Sequence, residues 1–151
     1  MRLPDRPHIG LVLSYSYLWA DESKQGRKEG SKDRPAAIIF TRRDLGPSEV
    51  VYVVPITHSA PTEKNEKIPI PATVKRHLGL DDEPSWIDVT EVNIFVWPGP
   101  DLRPIRQTRR GNRNDDRCFY GFLPRGLFQK VQRAFVVNHR RKHVLVTKRG
   151  A

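Results

Sequence analysis

The stretch "RPAAIIFTRRDLGPSEVVYVVPIT", residues 34–57, decides the fold. Ala36–Thr41 is apolar on both faces and reads as a strand, "RRDLGPS" supplies turn residues, and Glu49–Thr57 reads as the next strand. If these two strands pair antiparallel, the start of one lies beside the end of the other, which brings Arg34 close to Thr57.

Working outward, Ile9–Trp19 ("IGLVLSYSYLW") alternates and is rich in aromatic residues, so it is expected to be the first strand. Ala20–Asp33 is polar, contains glycine and has no period; it reads as a long loop without helix. "HSAPTEKNEK" is a second exposed loop. "PATVKRHLG" is a short helix, with Pro71 at its start and Gly79 placed for a left-handed cap. Residues 85–97, "SWIDVTEVNIFVW", alternate again as one strand, and a short strand is expected around "CFYGFL". Leu127, Val131, Ala134 and Phe135 fall at helical spacing after Pro124, giving a closing amphipathic helix to about Asn138. Successive strands with few helices between them predict a mainly β (α+β) fold: a small, strongly bent antiparallel sheet or barrel with one short helix and a C-terminal helix.

A chain of 151 residues is one ordinary domain, and its 13 prolines argue against long helices. Without an 18-residue apolar run, no membrane span is expected, and "IGLVL" is too short for a signal peptide. The single cysteine, Cys118, excludes an internal disulfide and a CxxC metal site, so a cytoplasmic protein without cofactor or metal is expected. The net charge of +10 is concentrated: residues 103–117 contribute +4 and residues 139–151 contribute +5. Two local basic segments predict a polyanion partner, and the second reads as a basic, flexible tail on a domain spanning 1–138.

Arg34 is the sharpest candidate for chemistry. Pro35 pushes it out of the helical region at a loop–strand junction, and its guanidinium offers a planar fork suited to phosphate. Its bland alternative is a surface pair with Asp33 or Glu29. Thr57 and Ser59 offer hydroxyls at the exit of the third strand, with His58 between them; a guanidinium and a hydroxyl at one rim suit a transferring phosphate. His58, Glu29 and Glu91 are the candidates for a general base. His58 serves only where the strand has already ended at Thr57, since neighbours on a strand point to opposite faces.

Gly10 opening the first strand, Glu29 five residues before Arg34-Pro35, "PIT" closing the third strand, "SWIDVTEVNIF" carrying Glu91, and a helix after "GFLP" together resemble the MazF/PemK toxin family over about residues 9–138. The resemblance implies an SH3-like barrel and a homodimer. It also implies a metal-independent endoribonuclease that cleaves single-stranded RNA (mRNA) and is held in check by a cognate antitoxin protein. The implied chemistry is attack of a ribose 2′-hydroxyl on the adjacent phosphate, leaving 2′,3′-cyclic phosphate and 5′-hydroxyl ends. Arg34 would act on the leaving oxygen or the phosphorane, and Thr57 would hydrogen-bond the transition-state oxygens. Ser59, Lys32, Trp97, Arg109, Arg110 and Arg113 are the expected RNA contacts. The chain departs from the family at Val89, where some PemK members carry an arginine, and in the segments 103–117 and 139–151. The alternative is a non-catalytic member of the same fold: a nucleic-acid-binding module or a CcdB-like toxin that targets a protein.

Overall fold

A computed structural model describes residues 1–43, 46–105, 107–108, 111–112 and 116–150. In chain order the elements are β1 (Leu11–Tyr15), α1 (Ala20–Lys24), β2 (Arg34–Arg43), β3 (Glu49–Thr57), β4 (Lys67–Pro69), α2 (Ala72–Leu78) and β5 (Trp86–Asp88). They continue as β6 (Glu91–Val96), β7 (Gln107–Thr108), β8 (Gly111–Asn112), β9 (Phe119–Phe122), α3 (Arg125–Arg140) and β10 (Leu145–Lys148). The fold is mainly β, as the sequence predicts. The main sheet runs β10-β6-β3-β2-β1-β9, with β5 joined to β3 and β4 to β5. Its two ends, β10 and β9, do not pair with each other, so the sheet is bent and open rather than a closed barrel.

β2 and β3 pair antiparallel, with Ala36 opposite Pro55 and Ala37 opposite Val54. Along its length β3 changes its second partner, from β6 at Val50–Val53 to β5 at Ile56–Thr57. Because successive residues of a strand face opposite sides, the apolar run of β2 feeds two cores. Ala37 and Ile39 join Val12, Val54 and Val92 beneath Val131 and Phe135 of α3. Ala36 and Ile38 join Leu13, Val51 and Phe95 on the other face, under Tyr15, Tyr17 and Leu102. A bulge between Ile38 and Phe40 lets Ile39 and Phe40 both serve the α3 face.

α2 begins after Pro71 and ends at Gly79, whose φ of 75° is the left-handed geometry a glycine accepts without strain. No helix among the described residues is long and apolar enough to cross a membrane.

Three local expectations differ from the structure. The loop 20–33 contains the five-residue helix α1. The single strand expected over 85–97 is two, β5 and β6. Between them Asp88 Oδ1 accepts from the Thr90 amide (2.9 Å) and hydroxyl (2.6 Å), turning the chain. The segment 103–117, read from sequence only as basic, contains the antiparallel pair β7–β8. The segment 139–151 was expected as a flexible tail, but its described residues 139–150 are part of the fold. β10 pairs in parallel with β6, and the Arg149 side chain behind it is only 2% exposed. Its guanidinium donates to the Ser16 carbonyl (2.7 Å), Asn93 Oδ1 (3.1 Å) and the Lys28 carbonyl (2.9 Å), and pairs with Asp101 at 3.0 Å.

Candidate active site

Arg34 opens β2 and Thr57 closes β3. Continuing the register of Ala36 with Pro55 by two residues sets them across from each other. Both line a cavity of about 260 Å³, together with Lys32, His58, Asp81 and Tyr120. The convergence expected from strand pairing is therefore present.

Arg34 is half-buried, with its guanidinium 5.0 Å from the centre of the Trp19 ring. Among the described residues it makes no hydrogen bond or ion pair, and its Nε is buried without a partner. Burial pulls its pKa down, while the nearby Glu22 and Tyr17 push it up. The acids that would otherwise capture it are engaged elsewhere. Arg103 lies 3.7 Å from Asp33 and 3.8 Å from Glu29, which removes the bland surface pairing for Arg34. Glu22 pairs with Arg27 at 3.2 Å and accepts from the amides of Trp19 and Ser31. The loop leading to Arg34 is anchored where the Gly30 amide donates to Ser16 Oγ at 3.0 Å. A Cβ on Gly30 would collide with the Tyr17 carbonyl, so this approach requires glycine.

Thr57 is buried, and its Oγ1 accepts from the Ser59 amide at 3.1 Å, leaving its own proton to donate. β3 ends at Thr57, which frees His58 to turn onto the same cavity wall. His58 Nε2 lies 2.8 Å from Asp81 Oδ2 and 3.5 Å from Glu83 Oε2. The other Asp81 oxygen is 2.7 Å from the Lys75 ammonium, which α2 delivers into a buried position. Lys75 also donates to Ser85 Oγ at 2.6 Å and to the Glu83 carbonyl, so the turn 81–85 is wrapped around one ammonium. Burial pushes the Asp81 carboxyl up, but the hydrogen bonds and charges of Lys75 and His58 outweigh it and hold the group below its ordinary value.

The ligand atoms of His58, Asp81 and Glu83 lie within 4.8 Å of one another, close enough to hold a metal ion. The Lys75 ammonium already bound to Asp81 opposes a divalent cation there. The expectation of no metal rested on the single cysteine, and this group contains none.

The remaining candidates lie apart from the cavity lining. Glu29 is exposed and paired with Arg103. Glu91 is buried at the start of β6, where Oε1 accepts from the Ala20 amide (3.1 Å) and the Tyr17 hydroxyl (3.4 Å). Burial pushes its carboxyl up to about 7; the Ala20 hydrogen bond opposes that and Asp88 reinforces it. Of the three candidate bases, His58 alone lines the cavity. Ser59 is exposed and touches the site through its amide. Trp97 is half-buried against Phe95 in the second core, and Val89 is fully buried. Arg109, Arg110 and Arg113 lie outside the described residues. Lys75, Asp81 and Tyr120 were not singled out for the site by sequence. The acidic run after Gly79 was the one available hint.

Comparisons with protein-family models, with curated proteins and with solved structures return no match.

Proposed function

We propose that this chain is an endoribonuclease that cleaves single-stranded RNA without a metal ion, by attack of a 2′-hydroxyl on the adjacent phosphate. The observation that carries this reading is the meeting of Arg34 and Thr57 in one cavity, with Arg34 unpaired among the described residues. As the phosphorane forms, negative charge builds on its equatorial oxygens. A partly desolvated guanidinium with a free fork, and a hydroxyl fixed by its own amide contact, stabilise that charge without reorganising. Lys32 on the rim adds a second cation along the RNA backbone. The toxin character, the homodimer and an antitoxin that covers the cavity belong to the same proposal through the family resemblance.

The test is incubation of the purified protein with a long single-stranded RNA in EDTA, beside Arg34→Ala and Thr57→Ala, with the ends mapped. Cleavage is expected to leave 2′,3′-cyclic phosphate and 5′-hydroxyl ends. Each substitution is expected to slow it about 100- to 1,000-fold, the usual cost of one preorganised donor. No cleavage by the wild type, or undiminished cleavage by both variants, refutes the reading.

A further inference from the structure

Three side chains from separate segments form an unbroken chain leading to the cavity: Lys75 on α2, Asp81 after the Gly79 cap, and His58 after β3. Lys75 Nζ is 2.7 Å from Asp81 Oδ1, and Asp81 Oδ2 is 2.8 Å from His58 Nε2. We infer that His58 is the general base of the reaction proposed above, that Asp81 fixes its tautomer and orientation, and that Lys75 is the positioning residue that holds Asp81 in place. The inference rests on the nuclease reading and adds residues to it.

An Asp81 carboxylate carries no proton of its own, so the imidazole must donate through Nε2–H. That leaves the lone pair on Nδ1, which has no partner among the described residues, as the proton acceptor. In the step, the 2′-oxygen forms a bond to phosphorus and its proton passes to Nδ1. The bond from phosphorus to the 5′-oxygen breaks, and that oxygen leaves with a proton from water. The resulting hydroxide takes the proton from His58, so the enzyme returns to its starting state. Arg34 and Thr57 donate to the phosphorane oxygens throughout and give up no proton.

Lys75 is more than a counter-ion for solubility. It is buried, and its ammonium makes contacts with Asp81, Ser85 Oγ and the Glu83 carbonyl that fix the turn carrying Asp81. The charged groups facing His58 are few. Asp81 and Glu83 approach from the turn, with Lys75 behind them, and Lys32, Asp33 and Arg34 face it from the β2 side of the cavity, where Asp33 is held by Arg103. Tyr120 approaches from β9, and Lys67 reaches the carbonyls of Ser59 and Ala60 just beyond.

Two substitutions and a double-mutant comparison test this arrangement. Asp81→Asn is expected to lower kcat for cleavage of single-stranded RNA in EDTA by about 100-fold with KM little changed, and Asp81→Glu to recover part of it. Lys75→Met is expected to lower kcat in the same way, and Lys75→Arg to recover part of it. His58→Ala is expected to slow cleavage about 100- to 10,000-fold, and adding Asp81→Asn to His58→Ala to cost nothing further, because Asp81 acts only through the imidazole. If Lys75→Met does not fold, the Asp81→Asn comparison decides the matter. An undiminished kcat in Asp81→Asn, or the same loss with and without His58, overturns the coupling. Cleavage that Arg34→Ala abolishes but His58→Ala leaves intact overturns the base alone. No cleavage by the wild type overturns the nuclease reading, and the base assignment with it.

Discussion

Arg149→Met removes the most heavily bonded cation in the described structure, and its cost can be worked out from its neighbours. The Arg149 side chain is 2% exposed and that of its partner Asp101 is 8% exposed. Methionine has a similar length, so the packing over the Tyr15 ring is largely kept and the loss is polar. The Ser16 and Lys28 carbonyls each lose a charged donor, whereas Asn93 Oδ1 still accepts from the Leu18 amide at 2.9 Å. Asp101 suffers most. Burial already pushes its carboxyl up, and Arg149 and Arg103 are what pull it back. Without Arg149 it stays a bare buried anion or takes up a proton. Breaking one half of a buried pair costs about 4 kcal/mol. For a chain of this length that corresponds to a fall in Tm of roughly 8–16 °C. Urea unfolding followed by tryptophan fluorescence measures it directly, and Arg149→Met combined with Asp101→Leu is expected to recover most of the loss, because a well-packed apolar pair needs no partner. A loss below about 1 kcal/mol is what an exposed pair gives, and would mean that β10 does not bury its arginine.

Two further predictions concern the site and its surroundings. Glu91 is raised from 4.5 to about 7 in the fold, so between those values the folded state holds a proton that the unfolded chain has lost. Stability therefore falls as pH rises through that window, by at most roughly 3 kcal/mol, and Glu91→Gln is expected to flatten the dependence in urea titrations at pH 5 and 8; an unchanged slope refutes it. Arg103→Gln frees Asp33 and Glu29 to compete for Arg34, so sulfate binding read from Trp19 fluorescence is expected to weaken by up to about five-fold, and tighter binding contradicts the shielding.

The legible parts of this fold are those fixed by local pattern. Glu49–Thr57 is a strand with the bounds its β-branched run and flanking turn residues dictate, and Pro71 and Gly79 bracket α2 as their backbone preferences require. The meeting of Arg34 and Thr57 followed from antiparallel pairing alone. β10 was hidden because Leu145 and Val146 lie among cations, and only the free edge of β6 makes that short run a strand. The Asp88–Thr90 turn left only a one-residue slip in the apolar pattern, which runs through 87 and 89 and then 92, 94 and 96; Ile87, Val89 and Val92 are all buried. The Lys75–Asp81–His58 chain depends on three segments meeting at the end of β3, and no spacing in the sequence encodes that meeting.

That same distinction changes the meaning of the net charge. From the sequence, the cations of 103–117 and 139–151 read as arms reaching outward to a polyanion. In the fold, the first described arginine of one segment and the last of the other turn inward: Arg103 to Glu29 and Asp33, Arg149 to Asp101 and the Lys28 carbonyl. Both brace the loop between β1 and β2, the loop that ends at Arg34. Lys75 does the same from the opposite wall, holding the turn that carries Asp81. Each of these cations occupies an acceptor or acid that would otherwise compete for the cavity's own groups. Arg34 keeps an open guanidinium near Glu22, whose carboxylate is paired with Arg27, while Arg103 holds Glu29 and Asp33 of the same loop. A positive charge available to a ligand is thus a product of the surrounding pairings as much as of the arginine itself, which is why composition alone could not locate it.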